Sequence, residues 1–364
     1  MSKRRHLRKD PRDFTGGGIF GLPRTHRSTG NKDFDERIEA LVKDWACDSS
    51  NELIQELIVT ALKMGKDCLP DGDLKLYNRA LKEMRYASRV FGPYNDERKI
   101  SIFGSARTKP DEAEFKAAEA FAKKMQESGF MSITGAGPGI MEAAQAGSGR
   151  NNSFGLNIRL PFEQSANPTI DGDEKLVNFN YFFTRKLAFV KESDAIAAFP
   201  GGFGTMDELF EVLTLIQTGK AQVVPIVLVD AEGGTYWKTW LQFVKDHLFR
   251  LGLISEEDFH LFKRTSNLDE AVEEITSFYQ NFHSYRYVGK SVVLRLQHEV
   301  TPELLKVLNE EYLDLLMEGE YEKCEALPEE ADEPHLKALP RIICTKKRGL
   351  AGRFRQVIDV INTF

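Results

Sequence analysis

The stretch DAIAAFPGGFGTMDELFEVLTLIQT, residues 194–218, constrains the fold more than any other part of the chain. Its apolar residues 195–199 predict a short strand, residues 200–204 predict a glycine-rich turn, and the amphipathic remainder predicts a helix that Thr205 can open. Backbone N–H groups at a helix start have no partner within the helix, and the helix dipole adds partial positive charge there. This order of strand, turn and helix therefore predicts a site for an anion such as a phosphate.

Short apolar segments alternate with amphipathic helices between residues 96 and 283. We predict strands at 99–103, 130–134, 154–158, 177–181, 195–199 and 223–229, and helices at 111–128, around 185–186, 205–218, 236–250 and 268–282. This alternation is typical of a doubly wound, Rossmann-like parallel sheet, in which ligands bind beyond the carboxyl ends of the strands. Gly104 and Ser105, residues 135–139 and residues 201–204 follow three of these strands. We therefore expect three glycine-bearing turns to converge on one cleft.

Two further regions flank this predicted domain. Apolar residues recur at spacings of three and four within residues 33–95, which predicts an N-terminal helical region with helices at 34–46, 51–65 and 73–91. Residues 284–364 predict a small C-terminal α/β appendage. For this end of the chain we expect strands at 292–296 and 341–344, helices at 301–319 and 353–361, a connection at 283–289 and an acidic loop at 328–334. The predicted fold class is α/β, a doubly wound parallel sheet with both additions.

Charge and composition narrow the classes of function. The formal net charge is −6, but residues 1–31 carry eight Lys and Arg side chains against Asp10 and Asp13. Residues 1–32 are also rich in glycine, so we expect a basic flexible arm, which is either a solvated tail, a strap over a neighbouring subunit or a contact for a polyanion. We do not expect nucleic acid to be the partner, because no aromatic residues interleave with the basic ones. No apolar run approaches the roughly 20 residues that a membrane span needs, so we expect a cytoplasmic protein.

The cysteine pattern, the GAGPGI turn and the absence of a P-loop motif argue against several kinds of site. The four cysteines, Cys47, Cys68, Cys324 and Cys344, are scattered, which predicts neither a zinc site nor a disulfide framework. The GAGPGI turn lacks the third glycine of a dinucleotide fingerprint, because Ile140 stands there, and the chain has no GxxxxGK[ST] phosphate loop. A nicotinamide cofactor and ordinary P-loop ATPase chemistry are therefore not expected.

The residues Thr205 and Glu208 admit two interpretations. T-x-x-E at a helix start is a capping box, in which the threonine caps the helix and the glutamate reaches back to the backbone. The alternative is a functional carboxylate one turn into the helix. The surrounding residues favour the second, because PGGxGTxxE (residues 200–208) follows a basic pair, Arg185 and Lys186, one helix upstream.

This combination resembles the "lonely guy" (LOG) family of nucleoside 5′-monophosphate phosphoribohydrolases, which are often mislabelled as lysine decarboxylases. The resemblance covers about residues 99–282 and includes Thr214, which falls where the family has a threonine on the same helix. The GAGPGIME turn is similar, less closely, to the family's GGGxxGLMG turn. Asp207 stands where many members have glutamate, and residues 160–178 are long and polar compared with short members.

The resemblance implies a hydrolase that splits the N-glycosidic bond of nucleoside 5′-monophosphates into a free base and ribose 5-phosphate. Substrates would be AMP-like or other purine and pyrimidine nucleotides, with cytokinin riboside monophosphates among the candidates. Glu208 would stabilise the ribosyl cation and position or deprotonate water, while Arg185 would anchor the nucleotide and help the base to leave. The expected substrate-binding residues are Lys186, Gly201, Gly202, Phe203, Gly204, Thr205, Met206, Asp207, Thr214, Gly104, Ser105, Gly135, Gly137 and Gly139.

The resemblance also implies no metal or organic cofactor and at least a homodimer. Two other functions stay open at this point. The first is a non-catalytic nucleotide-binding regulator or carrier that uses the same loop, and the second is a nucleic-acid-associated protein that uses the basic arm. Lysine decarboxylation is disfavoured, because no lysine stands in a recognisable setting for pyridoxal phosphate.

Overall fold

The computed structural model describes residues 28–45, 51–160 and 165–364. Most of the predicted basic arm (residues 1–27), Cys47 and part of the long polar segment (residues 161–164) lie outside the described residues. The described chain falls into two compact units, one over residues 28–85 and one over residues 86–364.

The first unit is helical, as predicted. Its described part holds α1 (Lys32–Trp45), α2 (Asn51–Lys66) and most of α3 (Asp71–Phe91). Ile38 and Val42 of α1 form a small buried cluster with Val59 of α2, which is the packing expected from their helical spacing.

The second unit is built on a parallel sheet, which confirms the predicted fold class. Within the described residues the sheet has seven strands: β1 (Arg98–Phe103), β2 (Phe130–Thr134), β3 (Ser153–Ile158), β4 (Leu176–Phe179), β5 (Ala195–Ala198), β6 (Ile226–Val229) and β7 (Lys263–Thr265). Their spatial order is β4-β3-β2-β1-β5-β6-β7, and every neighbouring pair is parallel. The order reverses between β1 and β5, so the crevice for a ligand opens beyond the ends of these two strands.

Helices cover both faces of this sheet. They are α4 (Ala113–Glu127), α5 (Ile140–Ser148), α6 (Phe182–Glu192), α7 (Phe203–Gln217), α8 (Tyr236–Phe243, continued by a π-helical turn) and α9 (Leu268–Ser277). Alternate strand residues enter opposite cores, because successive side chains of a strand point to opposite faces. Ala195 and Ala197 of β5 pack with α4, α5 and α9, whereas Ile196 and Ala198 pack with α6, α7 and α8. The second of these cores positions the helix that carries Glu208.

The C-terminal region contains an antiparallel sheet that differs from the expected elements. Its described strands are β8 (Phe282–Val288), β9 (Ser291–Leu296), β10 (Leu316–Cys324) and β11 (Arg341–Lys346), in the order β10-β11-β9-β8, with α10 (Pro302–Glu311) and α11 (Ala351–Ile361). The predicted connection at 283–289 was wrong, since residues 283–288 belong to β8. The hairpin to β9 turns at Gly289, whose φ of +61° suits a glycine.

Two predicted helices were also too long. The helix expected at 301–319 ends at Glu311, and the chain continues as β10, which pairs with β11. The helix expected at 268–282 ends at Ser277. In the first place cross-strand pairing prevails over a helical pattern of apolar residues, because tertiary packing commonly overrides local propensity. In the second place the chain turns after the helix and enters β8 at Phe282. No helix among the described residues is long and apolar enough to span a bilayer.

Candidate active site

Backbone hydrogen bonds join three turns at the carboxyl end of the parallel sheet. The N–H of Ser105, after β1, donates to the carbonyl of Pro200, after β5, at 3.0 Å. The carbonyl of Ser105 accepts from the N–H of Ile140, the first residue of α5, also at 3.0 Å. Ser105 thus connects the turns that follow β1, β2 and β5, and the three glycine-bearing segments lie together.

Close packing explains some of the glycines in these turns. Gly139 has a φ of +68°, and a Cβ there would collide with the backbone carbonyl of Ser105. A Cβ on Gly201 would collide with the Thr205 hydroxyl and would lie 2.9 Å from the Ser105 nitrogen. Gly202 and Gly204 differ, because a Cβ on either would have no protein atom within 4 Å. Space is therefore open above the turn at these two positions.

The helix after β5 begins earlier than expected. The N-cap of α7 is Gly202, and the first helical residues are Phe203, Gly204 and Thr205. No side chain caps the helix start, so the capping-box interpretation of Thr205 and Glu208 was wrong. The first N–H groups of α7 have no partner within the helix, which leaves them to an anion or to water.

Glu208 lies on α7 beside Arg185, which α6 contributes. The Arg185 Nη2 atom lies 3.3 Å from the Glu208 Oε1 atom, and Glu208 is only 5% exposed. The Arg185 guanidinium also packs over the rings of Phe182 and Phe189, at 5.1 and 5.8 Å from their centroids. Its Nε is buried and has no hydrogen-bond partner among the described residues. Burial lowers the pKa of Arg185, while Glu208 acts in the opposite direction.

Burial also acts on Glu208. It raises the pKa of this carboxyl above its usual value of 4.5, although the positive charges of Lys186 and Arg185 oppose the shift. The carboxyl group is therefore easier to protonate than an exposed glutamate, and the two cations limit this effect.

Lys186 contacts three carboxylates of α7. Its ammonium nitrogen lies 2.7 Å from Glu211, 2.9 Å from Asp207 and 3.4 Å from Glu208. Burial alone would lower the pKa of Lys186, but the hydrogen bonds to Glu211 and Asp207 outweigh burial and raise it. In the free protein Lys186 is thus a link between α6 and α7.

The other expected site residues differ in how they are placed around Glu208 and Arg185. Gly135 is close, because the Arg185 Nη1 atom lies 3.9 Å from where its Cβ would stand. A Cβ on Gly137 would lie 2.7 Å from Cε of Met141. A Cβ on Gly104 would collide with the Ile140 side chain, which places Gly104 in the packed base of the turn. Phe203 is 96% exposed. Met206 is half-buried, and Asp207 is exposed beside Lys186.

Thr214 is not brought to the glycine turn. It lies nine residues after Thr205 on α7, about 14 Å along the helix axis at 1.5 Å per residue, and it is exposed.

Sequence reasoning missed two residues that hold the turns. The buried Asn167 donates through its amide nitrogen to the Gly137 carbonyl and to the Gln145 side chain, at 3.0 and 2.6 Å. The hydroxyl of Tyr236 donates to the Gly201 carbonyl. Asn167 carried no signal, since it is one polar residue in a polar segment. Tyr236 follows the carboxyl end of β6, and its position in the fold could have indicated it.

The central part of the chain is similar to known proteins. Residues 139–275 match the sequence profile of a family described as "Possible lysine decarboxylase". Cytokinin riboside 5'-monophosphate phosphoribohydrolase LOG1 of Arabidopsis thaliana is 35% identical over 94 residues, which are 26% of this chain and 42% of LOG1. LOG5 of the same plant, with the same enzyme name, is 30% identical over 116 residues, which are 32% of this chain and 46% of LOG5. The chain thus spans less than half the length of these curated relatives.

A solved structure aligns with a longer part of the chain. The molybdenum cofactor binding protein of Rippkaea orientalis is 19% identical and has a TM-score of 0.34, and the alignment covers 50% of this chain and 96% of that protein.

Proposed function

We propose that this chain, whose residues 139–275 are a domain of the LOG family, hydrolyses the N-glycosidic bond of nucleoside 5′-monophosphates. One observation carries the proposal. The buried carboxylate of Glu208 lies 3.3 Å from the Arg185 guanidinium, one turn into a helix whose uncapped start faces open space. A protein that only binds phosphate has little use for a buried carboxylate beside the anion site.

The reaction requires the site to stabilise the ribosyl cation, to activate water and to help the base leave. The bond between C1′ and the base nitrogen breaks, water supplies the hydroxyl that C1′ gains, and the base leaves with a proton. The transition state resembles an oxocarbenium ion, so negative charge near C1′ stabilises it. We assign Glu208 to this stabilisation and to the positioning and deprotonation of water. Arg185 anchors the nucleotide and assists departure of the base.

The start of α7 supplies the binding site for the 5′-phosphate. The N–H groups of Phe203, Gly204 and Thr205 are the first three of the helix and have no partner within it. We assign the phosphate to these groups and to the Thr205 hydroxyl, with the helix dipole adding to the attraction. The open space at Gly202 and Gly204 gives a phosphate close access to the backbone.

We assign Lys186 a role beyond the substrate binding that the sequence predicts. Its contacts with Asp207, Glu208 and Glu211 support a function in holding Glu208 and keeping it ionised. The same contacts argue against lysine decarboxylation through this residue. A lysine that forms a Schiff base must lose its proton, and the raised pKa of Lys186 acts in the opposite direction.

Self-association through α6 and α7 also forms part of this proposal. These helices expose several large apolar side chains next to the site, namely Phe182, Phe183, Leu187, Phe203 and Phe210. Exposed apolar side chains on neighbouring helices commonly mark an interface, and a second copy would cover them. Light scattering of the purified protein tests this, and Phe183→Asp should shift a dimer towards monomer.

A substrate panel tests the proposed activity. The purified protein is incubated with AMP, GMP, CMP, UMP and cytokinin riboside monophosphates, and free base and ribose 5-phosphate are measured by chromatography. Release of both products in equal amounts from at least one nucleotide is the expected result. Nucleotide binding without release would instead support a regulator or carrier.

A further inference from the structure

A tyrosine from a neighbouring crossover contacts the glycine turn. The hydroxyl of Tyr236, the first residue of α8, donates a hydrogen bond to the carbonyl oxygen of Gly201 at 2.5 Å. The Tyr236 ring packs edge-on against Trp237, with 4.9 Å between the ring centroids. Tyr236 is half-buried, and the Trp237 ring packs against one side of it.

A buried ion pair fixes the start of α8. Asp230 directly follows β6, is fully buried, and accepts the backbone N–H of Trp237 at 3.1 Å through Oδ1. Its Oδ2 accepts from Nε and Nη2 of Arg264 on β7, at 3.1 and 2.9 Å. The ends of β6 and β7 therefore hold the first turn of α8 in place, and Tyr236 is directed onto the end of β5.

The orientation of the Gly201 carbonyl also fixes the direction of the Gly202 N–H. This carbonyl and the Gly202 N–H belong to one planar unit, and in a trans peptide they point in opposite directions. Glycines stand on both sides of the unit, so no Cβ limits its rotation. The hydrogen bond from Tyr236 selects one orientation, in which the Gly202 N–H points away from α8.

We propose that Tyr236 is a positioning residue for the anion site, acting through the Gly201–Gly202 peptide. It holds the Gly202 N–H in the orientation that the 5′-phosphate group of the substrate requires. The inference rests on the proposed function, because it concerns the ribose 5-phosphate half of the same substrate. Without the hydroxyl the peptide loses the hydrogen bond that fixes its orientation, and the binding of a phosphate must then include the cost of ordering it.

The chain supplies a closely matched control. Tyr279 also donates its hydroxyl to a backbone carbonyl next to β5, that of Asp194 at 2.6 Å, but Asp194 precedes the strand and lies at its opposite end. Tyr236→Phe and Tyr279→Phe therefore remove the same group from the same kind of bond. Only the first variant alters the turn at the carboxyl end of the strand.

Calorimetric titration with ribose 5-phosphate and with inorganic phosphate tests the inference, together with thermal unfolding of each variant. Loss of one hydrogen bond corresponds to roughly a fivefold to tenfold change in affinity. We expect Tyr236→Phe to weaken ribose 5-phosphate binding by about this factor and to raise KM more than it lowers kcat. Tyr279→Phe should lower the melting temperature and leave the affinity within about twofold of the wild type.

Two results would overturn the inference. One is that Tyr236→Phe differs from Tyr279→Phe in neither direction, with both variants at wild-type affinity or both weakened equally, which would make the bond structural only. The other is a wild-type protein that binds neither ligand at millimolar concentration. Calorimetry measures binding and does not depend on turnover. Failure of the proposed function has a different sign, since the wild type then releases no base from any nucleotide.

Discussion

The Lys186 ammonium lies 3.4 Å from Oε2 of Glu208, and both side chains are mostly buried. This contact opposes the effect of burial on the Glu208 carboxyl, whose pKa is nevertheless raised above 4.5. The charge of Glu208 thus depends on a residue of the preceding helix, which makes the pH dependence of the reaction a test of the arrangement.

Lys186→Met should move the acid side of the pH profile to higher pH. The proposed mechanism uses the Glu208 carboxylate, so kcat/KM falls as pH drops through the pKa of this group, which lies above 4.5. Removing the positive charge that lowers this pKa raises it further. The pH dependence of kcat/KM measures the shift. Lys191→Met, on the same helix but paired with Glu192, is the control, and equal profiles for the two variants would exclude the contact as the cause.

Two alanine variants separate packing from binding in the glycine turn. Gly201→Ala places a Cβ against the Thr205 hydroxyl and 2.9 Å from the Ser105 nitrogen, so it should lower the melting temperature by several degrees. Gly202→Ala meets no protein atom within 4 Å, and its φ of −88° suits alanine, so the fold should be unaffected. Calorimetry should nevertheless show weaker ribose 5-phosphate binding for Gly202→Ala. Unchanged affinity would mean that no ligand occupies the open space.

Asn167→Ala should destabilise the protein by about 1–3 kcal/mol, because it leaves the buried Gln145 oxygen and the Gly137 carbonyl without their donor. Urea unfolding measures the change. Asn178→Ala is the control, since this exposed residue pairs with Asn157 at the edge of the sheet and should cost less than about 0.5 kcal/mol. Similar costs in the two variants would show that Asn167 does not hold the turn.

Glu330→Gln should make the C-terminal sheet less stable at pH 7 and change its response to acid. The carboxylate of Glu330 is buried and pairs with Arg295 and Arg341 at 2.6 and 3.1 Å. Burial alone would raise the pKa of Glu330, but the Leu327 N–H and the two arginines outweigh burial and lower it below 4.5.

The sign of the pH effect follows from this lowered pKa. The stabilisation by Glu330 is complete above about pH 4.5 and is lost as pH falls through the lower pKa of the folded state. We therefore expect Glu330→Gln to cost about 3 kcal/mol at pH 7 and progressively less in acid, as measured by denaturant unfolding. The exposed neighbour Glu329, changed to Gln, should have little effect at either pH. A cost that is independent of pH would contradict the assignment.

The parallel sheet was predictable because its strands are short apolar runs followed by glycine turns. The β5 strand and its turn are an example, since residues 195–204 carry both signals side by side. The resemblance to the LOG family also followed from these residues, and the match over residues 139–275 together with the similarity to LOG1 and LOG5 confirms it.

The C-terminal sheet was not predictable from local pattern. Leu315 and Leu316 continue the helical spacing of α10, yet they leave the helix because β10 pairs with β11. The ion pairs that hold residues 328–337 on this sheet join residues far apart in the chain, such as Arg295 and Glu330. Spacing within one segment carries no information about such pairs.

The role of Glu208 was also not fixed by local sequence pattern alone. The sequence favoured a functional carboxylate without excluding a capping residue, and the position of Gly202 as the N-cap of α7 decides against the cap. The three carboxylate contacts of Lys186 were likewise invisible, because they depend on how α6 packs against α7.

The central claim is that Glu208 performs chemistry and does not only stabilise the fold. Glu208→Gln and Glu211→Gln remove one carboxylate each from α7, and both residues contact Lys186, so the pair is closely matched. The decisive measurement is the rate at which each variant releases free base from the best nucleotide of the panel. We predict a loss of at least about 100-fold for Glu208→Gln, with ribose 5-phosphate binding retained, and near-normal release for Glu211→Gln. Near-normal release by Glu208→Gln would contradict the account.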